Sequence, residues 1–348
     1  MKPINALLSA ALGATVAFTA YGAAAQNLNS VYRGRTVTIL VGYSAGGTYG
    51  QTSQLLARHL DKTIPRKPNV VVQHMPGAGG IKATNYAANV MPANGLNLFM
   101  PPEMSLVSEL LRPNKVKFKT TDFTWLGRVF GANQIMTLRR DTGILSVEDA
   151  KKKSVVVAST GTGSPTFLVP QLMNGLLGTK FKIVTGYRGS AKTTLSVEQG
   201  ETLGMSNSWI SWKANRSAWL KGGDKSYLVL LAQIGFTKEP DLPNVPLLTD
   251  LAKTKGDKAA AGMLSTAAII GRGLVLPPGT PKGFVEPLRA AFDKAVNTQA
   301  FKDEVTKRRL AHSPMGGAEI QKIITETRAS ITPDVVKRTQ ALVFGKKK

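Results

Sequence analysis

The chain has no cysteine among its 348 residues, which excludes disulfides, thiolate metal sites and a cysteine nucleophile. Histidine is nearly as scarce. His59, His74 and His312 are the three present, and none stands at metal-ligand spacing from another, so no zinc site is expected. Acidic residues number 21 against 45 lysines and arginines, a formal net charge of +24. No Cys/His finger, recognition-helix motif or aromatic and basic interleaving accompanies that excess, so it is not the footprint of a nucleic-acid binder. The short basic runs 151–153, 307–309 and 346–348 read as a solvated surface that steers anions inward. Beyond residue 25 no stretch of about 18 uninterrupted apolar residues could span a bilayer. There is no repeat of 20–50 residues and no low-complexity linker.

What is present begins with a leader. Lys2 supplies a positive start, Ala6 to Ala20 an apolar stretch, and Ala23-Ala24-Ala25 the small residues that a signal peptidase needs. Residues 1–25 are therefore expected to be a signal peptide cleaved before Gln26, giving a periplasmic chain. The remaining length exceeds what one core usually organises, so two lobes are expected.

Strand-like and helix-like segments alternate through the mature chain. Thr36–Val41, Asn69–Gln73 and Asn97–Met100 read as strands, with helices at Thr52–Leu60 and Ala83–Val90 between them. A second set follows, with strands at Ile135–Leu138, Ser154–Ala158, Lys182–Val184 and Tyr227–Leu231. Its helices are Val147–Lys152, Thr166–Leu177 and Lys192–Gln199. This order predicts an α/β fold with mainly parallel sheet. His59, beside Arg58 on a helix, reads as a surface residue, and Trp209, Trp212 and Trp219 as packing in the second lobe.

Glycine-rich turns follow several strands: Gly46-Gly47, then Pro76-Gly77-Ala78-Gly79-Gly80, then Ser159–Ser164, then Gly186-Tyr187-Arg188-Gly189-Ser190. Ligands of open α/β sheets bind at the carboxyl ends of strands. Glycine lets a ligand approach backbone N–H groups there, and several such groups beside a helix start suit a carboxylate or phosphate. Each loop alone is also explained as a tight turn, and Ser164-Pro165 as an ordinary helix start. His74 reads as a strand end that could reach a ligand, and Arg188 as a surface residue able to pair with a carboxylate. No Gly-x-Gly-x-x-Gly spacing or Walker lysine occurs, so no nucleotide or other cofactor is expected. Gly42-Tyr43-Ser44-Ala45-Gly46 satisfies the nucleophile-elbow pattern. The alternative function is accordingly a secreted serine esterase of α/β-hydrolase type using Ser44 and His312. Against it, the elbow lies on the first strand and no His-Gly-Gly-Gly-like segment precedes it.

MPGAGGIKATNYAA at 75–88 resembles the Pro-Gly-Ala-Gly-Gly loop and helix of the Bug family, the TctC-like periplasmic receptors of tripartite tricarboxylate transporters. GTGSPTF at 161–167, GYRGSAKTTL at 186–195, LPNVPLLTDL at 242–251 and LVLPPGTPKGFVEPL at 274–288 resemble further landmarks of that family in order. The resemblance spans about residues 33–326. It implies a two-lobed type II periplasmic-binding fold with a cleft between the lobes, residues 26–134 plus 265–348 forming lobe 1 and 135–264 lobe 2. It implies capture of a small carboxylate by lobe closure, with no catalysis, by a monomer that delivers ligand to membrane subunits of a transporter; a sensory receptor without transport is the variant within the binding class. Carried over residue by residue, the site is Tyr43, Ser44, Gly46, Gly47, Gly77, Ala78, Gly79, Ser159, Gly163, Ser164, Tyr187 and Gly189. Gly42 and Gly50 stand where the family commonly has proline and aspartate. The lost carboxylate weighs against an ammonium-bearing ligand.

Overall fold

The computed structural model describes residues 30–131 and 133–345; the expected leader, its cleavage point and the lysines 346–348 lie outside them. Strands β1 (Thr36–Val41), β2 (Asn69–His74) and β3 (Asn97–Met100) pair in parallel, with β1 in the middle. Three strands join antiparallel to β3 or to one another: β4 (Thr124–Arg128), β10 (Gly273–Leu276) and the short β11 (Met315–Gly316). The resulting order is β11-β4-β10-β3-β1-β2. In the second lobe β5 (Gln134–Arg139) lies antiparallel between β8 (Gly204–Ser208) and β9 (Leu228–Ile234). There β6 (Val155–Ser159) and β7 (Phe181–Thr185) form a separate parallel pair.

The pairing is thus mixed, where the element order predicts mainly parallel sheet. A helix between two strands forces them parallel only when both belong to one sheet. The helix Pro165–Leu177 does join β6 to β7 within a pair, but Val147–Lys152 and Ser190–Glu198 link strands of different sheets. In the first lobe β4 leaves toward the second lobe with the same sense as β1–β3, and β10 returns from it to insert between β3 and β4 with reversed sense.

Period-2 side-chain alternation explains why the first sheet is covered on both faces. Val37, Ile39 and Val41 of β1 pack with Leu55 and Leu56 of the helix Thr48–Thr63 and with Phe292 of the helix Val285–Asn297. Leu40, between them in sequence, points the other way. With Phe99, Trp125 and Val275 it meets Ile81 and Ala87 of the helix Ile81–Asn89, and Ile320 and Ile324 of the helix Gly317–Ser330. The second lobe has its own core, in which Met136, Val157 and Leu231 lie against Leu168 and Leu172.

Two corrections concern the helices. The first helix starts at Thr48 rather than Thr52, because its opening turn, Thr-Tyr-Gly-Gln, holds one aromatic residue and a glycine and shows no apolar spacing. His59 is buried, not a surface residue: its Nε2 lies 3.1 Å from Glu304 Oε1 and its ring stands edge-on to Phe301. The helix Gln299–Lys307 covers it. Trp209 and Trp212 are buried and Trp219 packs against them, as expected.

Two of the chain crossings between the lobes lie side by side. Val129 N–H donates to Arg272 O, and Arg272 N–H to Phe130 O, both at 2.9 Å. The last helix, Pro333–Phe344, packs on Pro165–Leu177 and Lys255–Ser265 of the second lobe, inserting Val343 into its core. Phe292 is fully buried against Gly127 of β4, so Phe292→Ala is expected to destabilise the chain by about 3–5 kcal/mol in urea denaturation. A loss below 1 kcal/mol would contradict the placement of this ring.

Candidate functional site

The glycine turns converge at one end of the sheets. After β1 the chain passes through Tyr43, whose buried hydroxyl donates 3.0 Å to Gly79 O in the second turn. His74 ends β2 and its Nδ1 lies 2.8 Å from the carbonyl of Tyr43, so Nδ1 carries the proton and donates. The two loops of the first lobe are therefore tied side chain to backbone. Burial holds the Tyr43 and Tyr49 phenols well above the usual tyrosine range; the charge of Glu103 adds to this and that of Arg272 opposes it. Both remain neutral hydroxyl groups at ordinary pH.

In the second lobe Ser159, Ser164 and Thr166 bond within the 159–166 segment. Ser164 Oγ donates 2.8 Å to Gly161 O, and Thr166 Oγ1 donates to Ser159 Oγ at 3.1 Å. Thr160 N–H donates to Thr166 Oγ1 at 2.9 Å. Ser164 precedes the helix with Pro165 in its first turn, but its side chain makes no capping bond.

Across the cleft the two sets of turns touch. A Cβ on Gly79 would stand 2.5 Å from Ser164 N, and one on Gly161 the same 2.5 Å from Gly79 N. Gly79 has φ +68 and Gly161 φ +134, so glycine is required at both for conformation and for space. Ser44 N–H donates 3.1 Å to Arg188 O, and Ser108 Oγ donates 3.1 Å to Gly163 O. These contacts bring the two lobes together at this end of the sheets.

Cavities remain between them, and two adjoin the turns directly. The outer one has a volume of about 630 Å³ and is lined from the first lobe by Tyr43, His74, the 75–80 turn and Lys82, and from the second by Thr160, Gly161, Thr162, Tyr187 and Arg188. No aspartate or glutamate lines it. Lys82 and Arg188 are exposed, and their side chains have no ion-pair partner among the described residues. The inner cavity has about 30 Å³, no more than a water needs, and is lined by Gly47, Thr48, Tyr49, Glu103, Asn207 and Arg272 among others. Of these two, the outer one has room for a small organic ligand.

Of the residues expected at the site, Tyr43, Gly77, Ala78, Gly79 and Tyr187 line the outer cavity. Gly47 faces the inner one, and Gly46 a small cavity at the seam with Asn215. Ser44, Ser159, Gly163, Ser164 and Gly189 stand behind them, in the contacts that hold the turns together. Lys82, Thr160, Thr162 and Arg188 line the cavity beside the expected positions. Lys82 follows the glycine turn directly, and a one-turn helical offset could have located it. Glu103 and Arg272, 169 residues apart, carry no local signal.

The nucleophile elbow is not assembled. Ser44 neighbours Gly189, while His312 Nε2 bonds Val296 O at 2.8 Å and its ring packs on Phe301. Asp241 is engaged by Trp209 and Lys213. No hydrogen bond joins Ser44 to a histidine among the described residues.

The Tyr43 hydroxyl ties the first turn to Gly79 of the second. Tyr43→Phe leaves a buried Gly79 carbonyl without that donor and is expected to cost about 1–3 kcal/mol, read as a lower urea midpoint at unchanged slope. An unchanged midpoint would show that the tie contributes nothing.

Comparison with known proteins agrees with this geometry. A curated Cupriavidus necator protein, the UPF0065 protein in the gbd 5′ region, is 24% identical over 308 residues, 84% of each chain. The periplasmic binding protein BugD is 18% identical, with a TM-score of 0.67 over 88% of this chain and 97% of that one. MatC from Rhodopseudomonas palustris, solved with bound malate, is 19% identical with a TM-score of 0.67, covering 87% and 99%. These likenesses show the fold, two α/β lobes with a cleft between them. The profile of the tripartite tricarboxylate transporter family receptors matches residues 54–339, and the chain belongs to that family, TctC.

Proposed function

We propose that this chain is a periplasmic solute-binding protein that captures a small carboxylate in the outer cavity and presents it to the membrane subunits of a tripartite tricarboxylate transporter. The observation that carries this reading is the composition of the outer cavity. Both lobes line it, it contains His74, Lys82 and Arg188, and it has no carboxylate of its own. An anion placed there meets cations from both lobes and no like charge, so binding it favours the closed arrangement. Tyr43, Gly77, Ala78, Gly79 and Tyr187 shape the wall; the remaining expected residues hold those positions from behind. Malate in MatC is a ligand of the same chemical class.

The expected division, 26–134 plus 265–348 for lobe 1 and 135–264 for lobe 2, is kept in this reading with one change, since the helix Pro333–Phe344 lies on lobe 2. The leader ends before Gln26, and the mature protein acts as a monomer without catalysis. Closure moves the lobes about the paired connections at Val129 and Arg272. The protein's basic charge steers anions toward the cleft at low salt.

A thermal-shift screen of mono-, di- and tricarboxylates and aromatic acids tests the reading. A carboxylate at a hundred times its dissociation constant is expected to stabilise the chain by about 2.7 kcal/mol. Lys82→Ala and Arg188→Ala should each weaken the best hit roughly tenfold, the loss of one charge-assisted hydrogen bond. A screen in which no carboxylate shifts the melting temperature, or a hit indifferent to both substitutions, overturns the assignment.

A further inference from the structure

The inner end of the cleft holds an ion pair that ligand capture does not use. Arg272, 2% exposed, donates through Nη1 to Glu103 Oε2 of the first lobe. Through Nη2 it reaches Ser208 Oγ of the second lobe at 3.0 Å and Thr48 Oγ1 at 3.4 Å. Ser208 Oγ lies 2.7 Å from Ser211 Oγ, which lies 2.5 Å from Thr48 Oγ1. Guanidinium and hydroxyls thus form one connected set that crosses the seam twice. The guanidinium also stacks on Tyr49, 3.9 Å from the ring centre, and the Tyr49 hydroxyl accepts from Glu103 N–H at 2.7 Å.

The position of Arg272 in the chain adds a second observation. It lies in the returning connection between lobes, its backbone paired with Val129 and Phe130 of the outgoing one. Gly271 before it has φ +50 and ψ −123, a conformation reserved for glycine. A Cβ there would strike Phe130 O. The hinge backbone is therefore held in one shape, and that shape aims the Arg272 side chain into the seam.

We propose that Arg272 is the positioning residue of lobe closure: it bridges Glu103 to Ser208 only when the lobes are shut, and so populates the closed form before any ligand arrives. The inference rests on the lobe-closure reading above. Only a guanidinium serves, because its planar fork reaches a carboxylate and a hydroxyl at once, where an ammonium makes point contacts. Opening removes Ser208 and exposes to solvent a pair that is otherwise buried. The anion in the outer cavity then selects a state that the protein has already assembled. Arg272 changes affinity without lining the outer cavity.

Small-angle scattering of the ligand-free protein tests this. The wild type is expected to be compact. Arg272→Lys, which keeps a cation beside Glu103 but gives up the fork, and Ser208→Ala, which leaves the ion pair intact, should both show a larger radius of gyration with unchanged circular dichroism. A variant closed about one tenth of the time should bind its best carboxylate from the screen about tenfold more weakly. If Arg272→Lys fails to fold, Ser208→Ala decides alone, since it disturbs no charge. Folded variants as compact as the wild type overturn the proposal, as does a wild type already open. A latch that works in a protein no carboxylate stabilises would leave closure standing and remove the ligand assignment. The reverse pattern would remove the latch alone.

Discussion

Everything else in the cleft depends on a contact between two backbones. Gly79 of the first lobe and Gly161 of the second meet where neither could carry a side chain. That approach lets the turns close into one wall, brings Ser44 N–H to Arg188 O and leaves the outer cavity bounded on both sides. Behind it, Tyr43 and His74 tie the first two turns into a unit, so the first lobe offers a rigid half-site. The second lobe does the same with the hydroxyls of Ser159, Ser164 and Thr166, which bond within their own segment.

Electrostatics and sterics divide the work along the cleft. The outer cavity is roomy and free of carboxylates. The inner end is filled by Tyr49, Glu103 and Arg272, with charge already neutralised in place. A buried pair of this kind adds little net stability, because desolvation offsets most of the attraction, but losing one partner is costly. Such a pair is suited to specifying one arrangement of the lobes more than to strengthening it. The high positive charge of the chain, +24, acts over a longer range and is screened by salt.

Much of the fold was legible in the sequence because short β-branched runs between glycine turns have few other interpretations. Thr36–Val41 and Asn97–Met100 coincide with observed strands. Strand direction was not legible, since it depends on which sheet the next strand joins, and β4, β5 and β10 are set by the crossings between lobes. His59 was misread because its partner Glu304 lies 245 residues away. The site shows the same split. The 76–80 turn and Tyr187, which glycine spacing and resemblance single out, line the outer cavity. For Ser159 and Ser164 the sequence offers a hydroxyl without its partner, and here those partners are in the same turn. Arg272 was invisible for the same reason as Glu304: its meaning lies entirely in tertiary contacts.

The central claim is that the outer cavity recognises negative charge on a small organic ligand. Titration calorimetry of the chain with a short dicarboxylate, and with the neutral diamide of the same carbon skeleton, tests it most directly. Saturable one-to-one binding of the dicarboxylate that weakens with added salt, and none of the diamide, is expected. Equal binding of the two, or tighter binding of the diamide, would contradict it.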